Sequence, residues 1–506
     1  MLKKIIQIVK GDKSAKAISG KTSQASKRVE VPAQEHNINR DLIDHRAIET
    51  VETLQDAGFE TYIVGGAVRD LLLGLEPKDF DIATEATPEE VKRLFRRAFI
   101  IGRRFRIVHV IFGGGREHEK FEVSTFRANV DHAEAPTVKG NERSQKSQLE
   151  GMKHAVDSSG RVLRDNVWGD IASDAARRDF TVNAMYYDPS SEVLVDYHGG
   201  MADAKKRVIR MIGEPAARYR EDPVRIIRAV RFAAKLAPLG FKVETKTLEP
   251  IKKLKKLLED VPPSRMFDEM LKLVQTGHSL ASIQTLKELR LERGIYPLLD
   301  VMVERADTPM VRGMLTDTDA RIKAGKGVAP SYLLACVLWQ DVIDGWVARR
   351  EGGTLGKQKF AKIPTFPALA ESVDAVFEER IGDVSGRGKL GADMREIWMM
   401  QPRFERRTGG SPHTLVEHLR FRAGFDFLCL RGQSNEANAP ELAVLASWWQ
   451  DFQDADHAKR LEMIEEVKRQ PKPAVAVSEK KPRPKRKRKP RTATPLSADA
   501  DISPTL

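Results

Sequence analysis

Apolar and polar positions follow two different patterns along this chain of 506 residues. Up to about residue 200, short apolar runs at strand spacing alternate with segments at helical spacing. From Ala202 to about Phe452 the apolar positions recur at helical spacing, and no convincing strand interrupts them. The sequence therefore predicts an α/β N-terminal head, with a mixed sheet and helices, followed by an all-α neck and body.

The order of strands and helices is clearest in residues 61–84. Residues 61–64 predict a buried strand, Gly65-Gly66 a tight turn, and residues 67–73 a helix that ends at Gly74. Residues 78–84 predict the next strand. The other elements predicted for the head are a helix from about Asp41, a helix capped by Thr87 with Pro88 at its first position, strands at 105–112 and 120–130, and a hairpin turned at 188–191.

Changes of pattern and polar stretches predict how the chain is divided. Residues 131–160 are polar and without periodicity, which predicts a mobile loop. The predicted segments are a weakly structured start at 1–40, a head at 41–200, a helical neck at 201–300, a helical body at 301–468, and a disordered tail rich in Lys, Arg and Pro at 469–506.

Composition indicates a soluble globular protein, because 41% of the residues are hydrophobic and 31% are charged. No apolar run approaches the roughly 18 residues that a membrane-spanning helix needs. The apolar core near the N-terminus is too short for a secretory signal. The two cysteines, Cys336 and Cys429, lie far apart, which argues against a disulfide scaffold and predicts a cytoplasmic location.

The net charge of +13 is concentrated in one segment. Residues 480–491 contain nine Lys or Arg and three Pro, and without them the net charge would be +4. Such a segment cannot fold and would bind a polyanion by counterion release. Nucleic acid is the expected partner, and a purely solubilising tail is the alternative.

Two aspartates carry the strongest chemical signal. Asp79 and Asp81 would point to one face of the strand predicted at 78–84. Carboxylates beside a glycine turn at a helix N-terminus suit Mg²⁺ and a polyphosphate together. An isolated Gly-Gly is more often only a turn, and Asp-x-Asp also arises by chance. Their order in this chain favours phosphoryl or nucleotidyl transfer.

Four other polar side chains each allow two interpretations. Arg69 follows the glycine turn and could bind a phosphate or be an ordinary surface arginine. Glu122 lies on the polar face of its predicted strand and could be a third metal ligand or a solvated residue. Arg178 and Asp179 could serve a nucleotide, or form a salt-bridge cluster at a helix end. Spacing alone does not decide between these alternatives.

A basic face marks the helix predicted after residue 221. Asp222 is a natural N-cap, and Pro223 fits the first helical position. The basic positions, opposite an apolar side, are Arg225, Arg228, Arg231 and Lys235. With no acidic partner on the same face, these cations suit a phosphate chain or an RNA backbone better than a solvated charge stripe.

Four blocks of the sequence resemble a known family. They are YIVGGAVRDLLLG…KDFDIAT, EVSTFR, RRDFTVNAMYY and GEPAARYREDPVRIIRAVRFAAKL, within about residues 45–300. They are similar to class II nucleotidyltransferases of the DNA polymerase β superfamily, which contains bacterial poly(A) polymerases and CCA-adding tRNA nucleotidyltransferases. Residues 101–110, the helical part after residue 300 and the basic tail resemble the bacterial poly(A) polymerase branch.

The resemblance implies roles for the matching residues. Asp79 and Asp81 would hold Mg²⁺ or Mn²⁺, and Asp179 would be a further active-site residue. The residues expected to bind the nucleotide are Gly65, Gly66, Arg69, Arg178, Asp222, Arg225 and Arg228. Of these, Asp222 and Arg225 would contact the edge of the base, whereas the role of Glu122 stays open.

The implied activity is template-independent polyadenylation of RNA 3′ ends in bacterial RNA processing and decay, with ATP as the substrate and pyrophosphate as the product. The implied partners are the 3′ ends of mRNA, regulatory RNA and tRNA precursors, together with proteins of RNA decay. A CCA-adding enzyme is the nearest alternative, and it would use CTP as well as ATP. An RNA-binding protein without catalysis and a metal-dependent sugar transferase are the more distant ones.

Overall fold

The computed structural model describes the chain from residue 27 to residue 469, with gaps. The described residues are 27–102, 106–114, 117–128, 154–156, 162–165, 167–380 and 387–469. The basic segment 480–491 and most of the predicted loop 131–160 lie outside these residues. No helix in the described part of the chain is long and apolar enough to cross a membrane.

A mixed sheet organises the head. The head strands are β1 (Val29–Val31), β2 (Thr61–Val64), β3 (Asp81–Thr84), β4 (Ala98–Ile101), β5 (Ile107–Gly114), β6 (Glu117–Thr125), β7 (His154–Val156), β8 (Val162–Asp165), β9 (Met185–Asp188) and β10 (Val193–Asp196). Eight of them form one sheet in the order β1-β10-β9-β2-β3-β6-β5-β4, and β7 pairs with β8 separately. Within the eight-stranded sheet β3 and β6 run parallel, and the other neighbours run antiparallel. The predicted mixed sheet is confirmed.

Helices cover this sheet because its strands are apolar on both faces. In β2, Ile63 belongs to the large core, whereas Tyr62 and Val64 belong to a second cluster on the opposite face. The head helices are α1 (Ala33–His36), α2 (His45–Asp56), α3 (Gly66–Leu72), α4 (Pro88–Leu94), α5 (Ile171–Arg177) and α6 (Gly200–Lys206). The predicted start of α4 is confirmed, since Thr87 and Glu90 form a reciprocal capping box.

Four head strands lie where the sequence pattern predicts no strand. β1 falls within the predicted weak start, β7 falls within the predicted loop, β8 follows that loop, and β4 precedes the predicted strand 105–112. Each has only three or four residues, which is too short for a periodic signal. β1 and β4 are the edges of the sheet, and each is held by one neighbouring strand, β10 and β5 respectively.

The chain after residue 206 is helical, as predicted, apart from two pairs of two-residue strands. Its helices are α7 (Pro215–Glu221), α8 (Val224–Leu236), α9 (Thr245–Leu248), α10 (Ile251–Leu254), α11 (Pro263–Val274), α12 (Ser279–Glu288), α13 (Pro297–Arg305), α14 (Pro309–Lys323), α15 (Pro330–Glu351), α16 (Thr365–Arg380), α17 (Arg387–Phe404), α18 (Ser411–Val416), α19 (Phe421–Gly432), α20 (Ala439–Asp454) and α21 (His457–Arg469). The strand pairs are β11 (Val208–Ile209) with β12 (Lys242–Val243), and β13 (Thr354–Leu355) with β14 (Gln358–Lys359).

The predicted N-cap of α8 is wrong by one residue. Pro223 occupies the N-cap position, and Asp222 is the C-cap of α7. The Asp222 N–H donates to the carbonyl of Arg218, which closes α7, so Asp222 belongs to the joint between two consecutive helices. Its side chain accepts a hydrogen bond from Arg265 of α11.

One apolar core extends from the sheet into the helical part, from Val31 to Leu430. A separate apolar cluster lies at the C-terminal end of the described chain, between residues 400 and 464, and its Trp449 is fully buried. The larger core contains residues from the predicted head, neck and body. The boundaries at residues 200, 300 and 468 therefore stay predictions.

Candidate active site

The turn between β2 and α3 faces the first residue of β3. Val64, the last residue of β2, pairs with Asp81, so Gly65 begins the turn beside that residue. On the other side, Asp81 is in parallel register with Glu122 of β6. Residues opposite each other on neighbouring strands share a face of the sheet. Asp81 and Glu122 therefore lie side by side next to the glycine turn.

Asp79 lies outside the strand, which corrects the predicted span 78–84. The ladder cannot extend before Asp81, because its partner strand β2 ends at Val64, opposite that residue. Strand alternation therefore does not place Asp79. The negative charge of Asp79 is nevertheless one of the causes that raise the pKa of Asp81. The convergence of the two carboxylates on one cation stays a prediction.

The position of the Asp81 carboxylate raises its pKa. Burial is the largest cause, the negative charges of Glu122 and Asp79 add to it, and Arg178 acts in the opposite direction. Asp81 as a whole is nevertheless exposed to solvent. A bound cation would relieve this electrostatic cost, and carboxylate oxygens are ligands that Mg²⁺ prefers.

Glu122 is engaged by two basic side chains of its own sheet. Lys120 Nζ donates a hydrogen bond to Glu122 Oε1 at 2.8 Å, and His109 Nε2 lies 3.2 Å from the same oxygen. Burial raises the pKa of Glu122, but Lys120 and His109 outweigh it, so this pKa lies below its ordinary value. Among the described residues, no group of three or more His, Cys, Asp or Glu side chains is assembled for a metal ion. Asp79 and Asp81 stay the predicted metal ligands, and the role of Glu122 stays open.

Arg178 is held beside the same turn by a buried network. Its Nη2 donates to Asp174 Oδ2 at 2.9 Å, and its Nε lies 3.0 Å from the hydroxyl of Tyr186. The Tyr186 hydroxyl in turn donates to Asp174 Oδ2 at 2.7 Å. The Arg178 guanidinium also lies over the Tyr186 ring, 5.2 Å from its centre. These contacts fix the direction of the arginine and leave its Nη1 near the turn.

Gly65 occupies a conformation that L-residues rarely adopt, with φ of 76° and ψ of −131°. A Cβ atom built there would lie 3.7 Å from Arg178 Nη1 and 3.9 Å from Asp81 Oδ2. Gly65 thus faces a space between a guanidinium and a carboxylate. Such a space suits an anion together with its counter-cation.

We expect Gly65→Ala to lower the kcat/KM for nucleotide by about 10- to 100-fold, because the methyl group fills part of this space, at van der Waals distance from Arg178 and Asp81, and leaves less room for a phosphate. Backbone strain should also cost about 1–3 kcal/mol of unfolding free energy. Steady-state kinetics and thermal denaturation measure the two effects.

Gly74→Ala is the matched control. Gly74 also has a positive φ, 72°, but nothing lies within 4 Å of a Cβ built there. This variant should lose stability and keep its kcat/KM. Equal kinetic losses in both variants would show that strain alone, and not the space beside Asp81, explains the effect.

Asp179 joins the head to helix α8. Arg228 Nε donates to Asp179 Oδ2 at 2.8 Å, and the N–H of Phe180 donates to Asp179 Oδ1 at 2.8 Å. Burial raises the pKa of Asp179, but the charge and hydrogen bonds of Arg228 outweigh it, and the pKa lies below its ordinary range. Both oxygens of this carboxylate are engaged, so Asp179 is ionised and orients Arg228.

The basic face of α8 is not without acidic partners, which corrects the sequence interpretation. Glu269 of α11 lies 3.8 Å from both Arg228 and Arg231. Arg225 Nη1 donates to Glu221 Oε2 at 2.9 Å. The carboxylates come from other elements, which the face of a single helix does not reveal. Lys235, in contrast, forms no ion pair with a carboxylate in the described residues.

Asp222 and Arg225 are both directed to other helices or loops and do not pair with each other through their side chains. Arg265 Nη2 of α11 donates to Asp222 Oδ2 at 3.0 Å. Arg225 Nη1 also donates to the carbonyl of Arg218 at 2.9 Å. The structure brings them to the same helix joint, and their predicted contact with a base stays a prediction.

Arg69 is buried, so the interpretation as an ordinary surface arginine is wrong. Its Nη1 donates to Asn183 Oδ1 at 2.8 Å, and its Nε donates to Asp70 Oδ1 at 2.9 Å. A Cβ built on Gly66 would lie 3.4 Å from Arg69 Nη2. Arg69 thus packs closely beneath the glycine turn and links α3 to Asn183.

Sequence reasoning missed Asp174, Tyr186 and Glu269. Asp174 stands three and four residues before Arg177 and Arg178, the spacing of helical ion pairs, and that signal could have found it. Tyr186 and Glu269 carry no comparable signal, because their partners belong to other elements.

Comparison with known proteins places this site in a family. Three family models match: "Poly A polymerase head domain" over residues 61–210, "Probable RNA and SrmB-binding site of polymerase A" over 240–302, and "Polymerase A arginine-rich C-terminus" over 361–492. The chain is 39% identical over 468 residues to poly(A) polymerase I of Salmonella typhi, which covers 90% of this chain and 94% of that relative. It is 38% identical over 462 residues to poly(A) polymerase I of Haemophilus influenzae, with the same coverage.

The curated CCA-adding enzymes match a smaller part of the chain by sequence. The enzyme of Bacillus subtilis is 34% identical over 267 residues, 52% of this chain and 59% of that relative. Among solved structures, the CCA-adding enzyme of Bacillus stearothermophilus in complex with CTP is 23% identical, with a TM-score of 0.49 over 85% of this chain and 89% of that chain. The sequence matches at 38–39% identity over 90% of the chain, which include the helical body, are to poly(A) polymerase I, and the chain therefore belongs to the poly(A) polymerase I family.

Proposed function

We propose that this protein is a polynucleotide adenylyltransferase that transfers AMP from ATP to the 3′-hydroxyl of RNA and releases pyrophosphate. The observation that carries the proposal is the match to poly(A) polymerase I along 90% of the chain. The space beside Gly65, between the Arg178 guanidinium and the Asp81 carboxylate, is lined by groups that suit this chemistry. In-line displacement needs an anion site beside carboxylates, and no covalent intermediate with the protein is required.

Asp79 and Asp81 are the residues that would hold Mg²⁺ or Mn²⁺. Such an ion neutralises phosphate charge and lowers the pKa of the attacking hydroxyl. Arg178 has a guanidinium directed to the Gly65 turn, where it would bind the phosphate chain of ATP. The 3′-oxygen would form a bond to the α-phosphorus, and the bond from that phosphorus to the pyrophosphate oxygen would break.

Helix α8 and its neighbours would select the base. Asp222 and Arg225 lie at the joint before α8, and Asp179 holds Arg228 one turn further along. A carboxylate accepts and a guanidinium donates hydrogen bonds, so together they match an adenine edge, which presents both a donor and an acceptor. Cytosine also presents a donor beside an acceptor, so the preference for ATP rests on the match to poly(A) polymerase I rather than on this pair of residues.

A primer-extension assay tests the proposal. The full chain, Mg²⁺ and an unstructured labelled RNA are offered ATP, CTP, GTP and UTP separately, with a tRNA lacking its CCA end in parallel. We expect a long ladder with ATP on the unstructured RNA. Addition limited to completing CCA on the tRNA would assign the chain to the other branch, and no addition to either RNA would favour an RNA-binding protein without catalysis.

The cellular setting is part of the same proposal. RNA 3′ ends of mRNA, regulatory RNA and tRNA precursors are the proposed substrates, and proteins of RNA decay are the proposed partners, in the cytoplasm. The match of residues 240–302 to an RNA-binding region of polymerase A supports RNA as the macromolecular partner.

A further inference from the structure

Two consecutive arginines after α17 each lie over an aromatic ring of the C-terminal body. The Arg406 guanidinium is 4.9 Å from the ring centre of Phe366, and that of Arg407 is 5.5 Å from the ring centre of Trp448. We call Phe366, Arg406, Arg407, Val444 and Trp448 the arginine–aromatic ledge. Arg406 is exposed, and both ring residues are partly exposed.

The ledge has positive charge that the described protein does not neutralise. Neither Arg406 nor Arg407 forms an ion pair with a carboxylate anywhere in the described ranges. Burial alone lowers the pKa of Arg407, without a carboxylate to offset it. Other arginines of the body are paired, for example Arg420 with Asp393 at 2.6 Å and Arg431 with Glu436 at 2.6 Å.

The apolar part of the ledge is supported from behind. Trp448 stacks on Phe452 with ring centres 4.9 Å apart and planes 17° apart, and it meets the buried Trp449 edge-on at 5.1 Å. Val444, one helical turn before Trp448 on α20, is 69% exposed. A firmly supported ring, an exposed apolar neighbour and guanidinium planes are the groups on which nucleobases stack.

We propose that the arginine–aromatic ledge binds the single-stranded RNA substrate upstream of its 3′ end, with a base stacked on the ledge and Arg406 and Arg407 beside its phosphates. This proposal rests on the proposed function, because it names a contact of the same substrate. Of the ledge residues, Trp448 packs against the apolar cluster between residues 400 and 464, which contains no residue of the head. We therefore assign the ledge a role in holding RNA and none in the chemical step.

The test is the affinity of the full chain for a labelled 20-nucleotide single-stranded RNA, measured by anisotropy without ATP over a range of salt concentrations. The double variant Arg406→Gln with Arg407→Gln should bind about 10-fold more weakly. The slope of the logarithm of its RNA association constant against the logarithm of salt concentration should be less negative by about 1.4. The double lysine variant should keep the salt dependence and still lose affinity, because lysine keeps the charge but not the planar stack. In primer extension the glutamine variant should show a higher KM for RNA with kcat unchanged.

Arg350→Gln is the matched control, because Arg350 also lies over a tryptophan, Trp346, at 5.7 Å, but has a carboxylate partner, Glu351. It should bind RNA as the unaltered chain does. Unchanged affinity in the double glutamine variant would overturn the proposal and favour a protein partner for the ledge. An equal loss of affinity in Arg350→Gln would also overturn it. Since binding is measured without ATP, a failure of the unaltered chain to add AMP would refute the proposed function separately.

Discussion

Replacing Asp81 with asparagine should lower AMP incorporation by about 10³-fold or more, with RNA affinity unchanged. The Asp81 carboxylate lies beside Gly65 and Arg178, and the asparagine variant loses a proposed ligand of the cation that would stabilise charge on the reacting phosphate. Asp79→Asn should have a similar effect. Single-turnover incorporation of labelled ATP, together with RNA binding by anisotropy, measures both quantities.

Glu122→Gln is the informative comparison, because Glu122 is the carboxylate next to Asp81 in the sheet. Lys120 and His109 already engage it, so we expect a loss of less than about 10-fold, as for a group that acts through its charge at a distance. Substantial incorporation by Asp81→Asn would refute the assignment of the metal site. A loss in Glu122→Gln equal to that of Asp81→Asn would show that three carboxylates hold the metal.

Replacing Asp174 with asparagine should cost about 3–5 kcal/mol of unfolding free energy at pH 7 and raise the KM for ATP. The Asp174 residue is only 1% exposed, and it accepts hydrogen bonds from Arg177, Arg178 and Tyr186. Asparagine leaves the two partly buried guanidinium groups without this counter-charge, and Arg178 would lose its fixed direction. Denaturant unfolding and steady-state kinetics measure the two effects.

The pH dependence of the Asp174 variant provides a second measurement. Burial raises the pKa of Asp174, but the positive charges of Arg178 and Arg177 outweigh it and lower the pKa well below its ordinary value. A carboxyl with a lowered folded-state pKa stabilises the protein fully above its unfolded pKa, about 3.9, and loses that contribution as pH falls below it. The stability difference between the unaltered chain and Asp174→Asn should be constant from about pH 5 to 8 and shrink below about pH 4.

Asp170→Asn is the control on the same helix. Asp170 is the N-cap of α5 and accepts a hydrogen bond from the N–H of Ser173 at 2.8 Å. Asparagine is an equally good N-cap, so stability and KM should be nearly unchanged. A similar loss in both variants would mean that the helix, and not the buried network, is responsible.

Much of the head could be predicted because its signals are local. The buried strand at residues 61–64, the glycine turn and the capping box of α4 each depend on neighbours within a few positions, and the structure confirms them. The strand at 78–84 was predicted too long, because its start is decided by where β2 ends. β1 and β4 were missed, because a three- or four-residue edge strand is defined by its partner.

The sequence by itself determined the two-part architecture, the positions of the glycine turn and aspartates, and the family resemblance, since periodicity and short motifs are properties of adjacent residues. Only the tertiary structure decided which charges meet. It turned Arg69 inward, gave the basic face of α8 its acidic partners and joined Asp179 to Arg228, 49 residues away. Electrostatic partners are chosen by distance in space, and burial makes each unpaired charge costly, so packing rather than spacing along the chain determines these pairs.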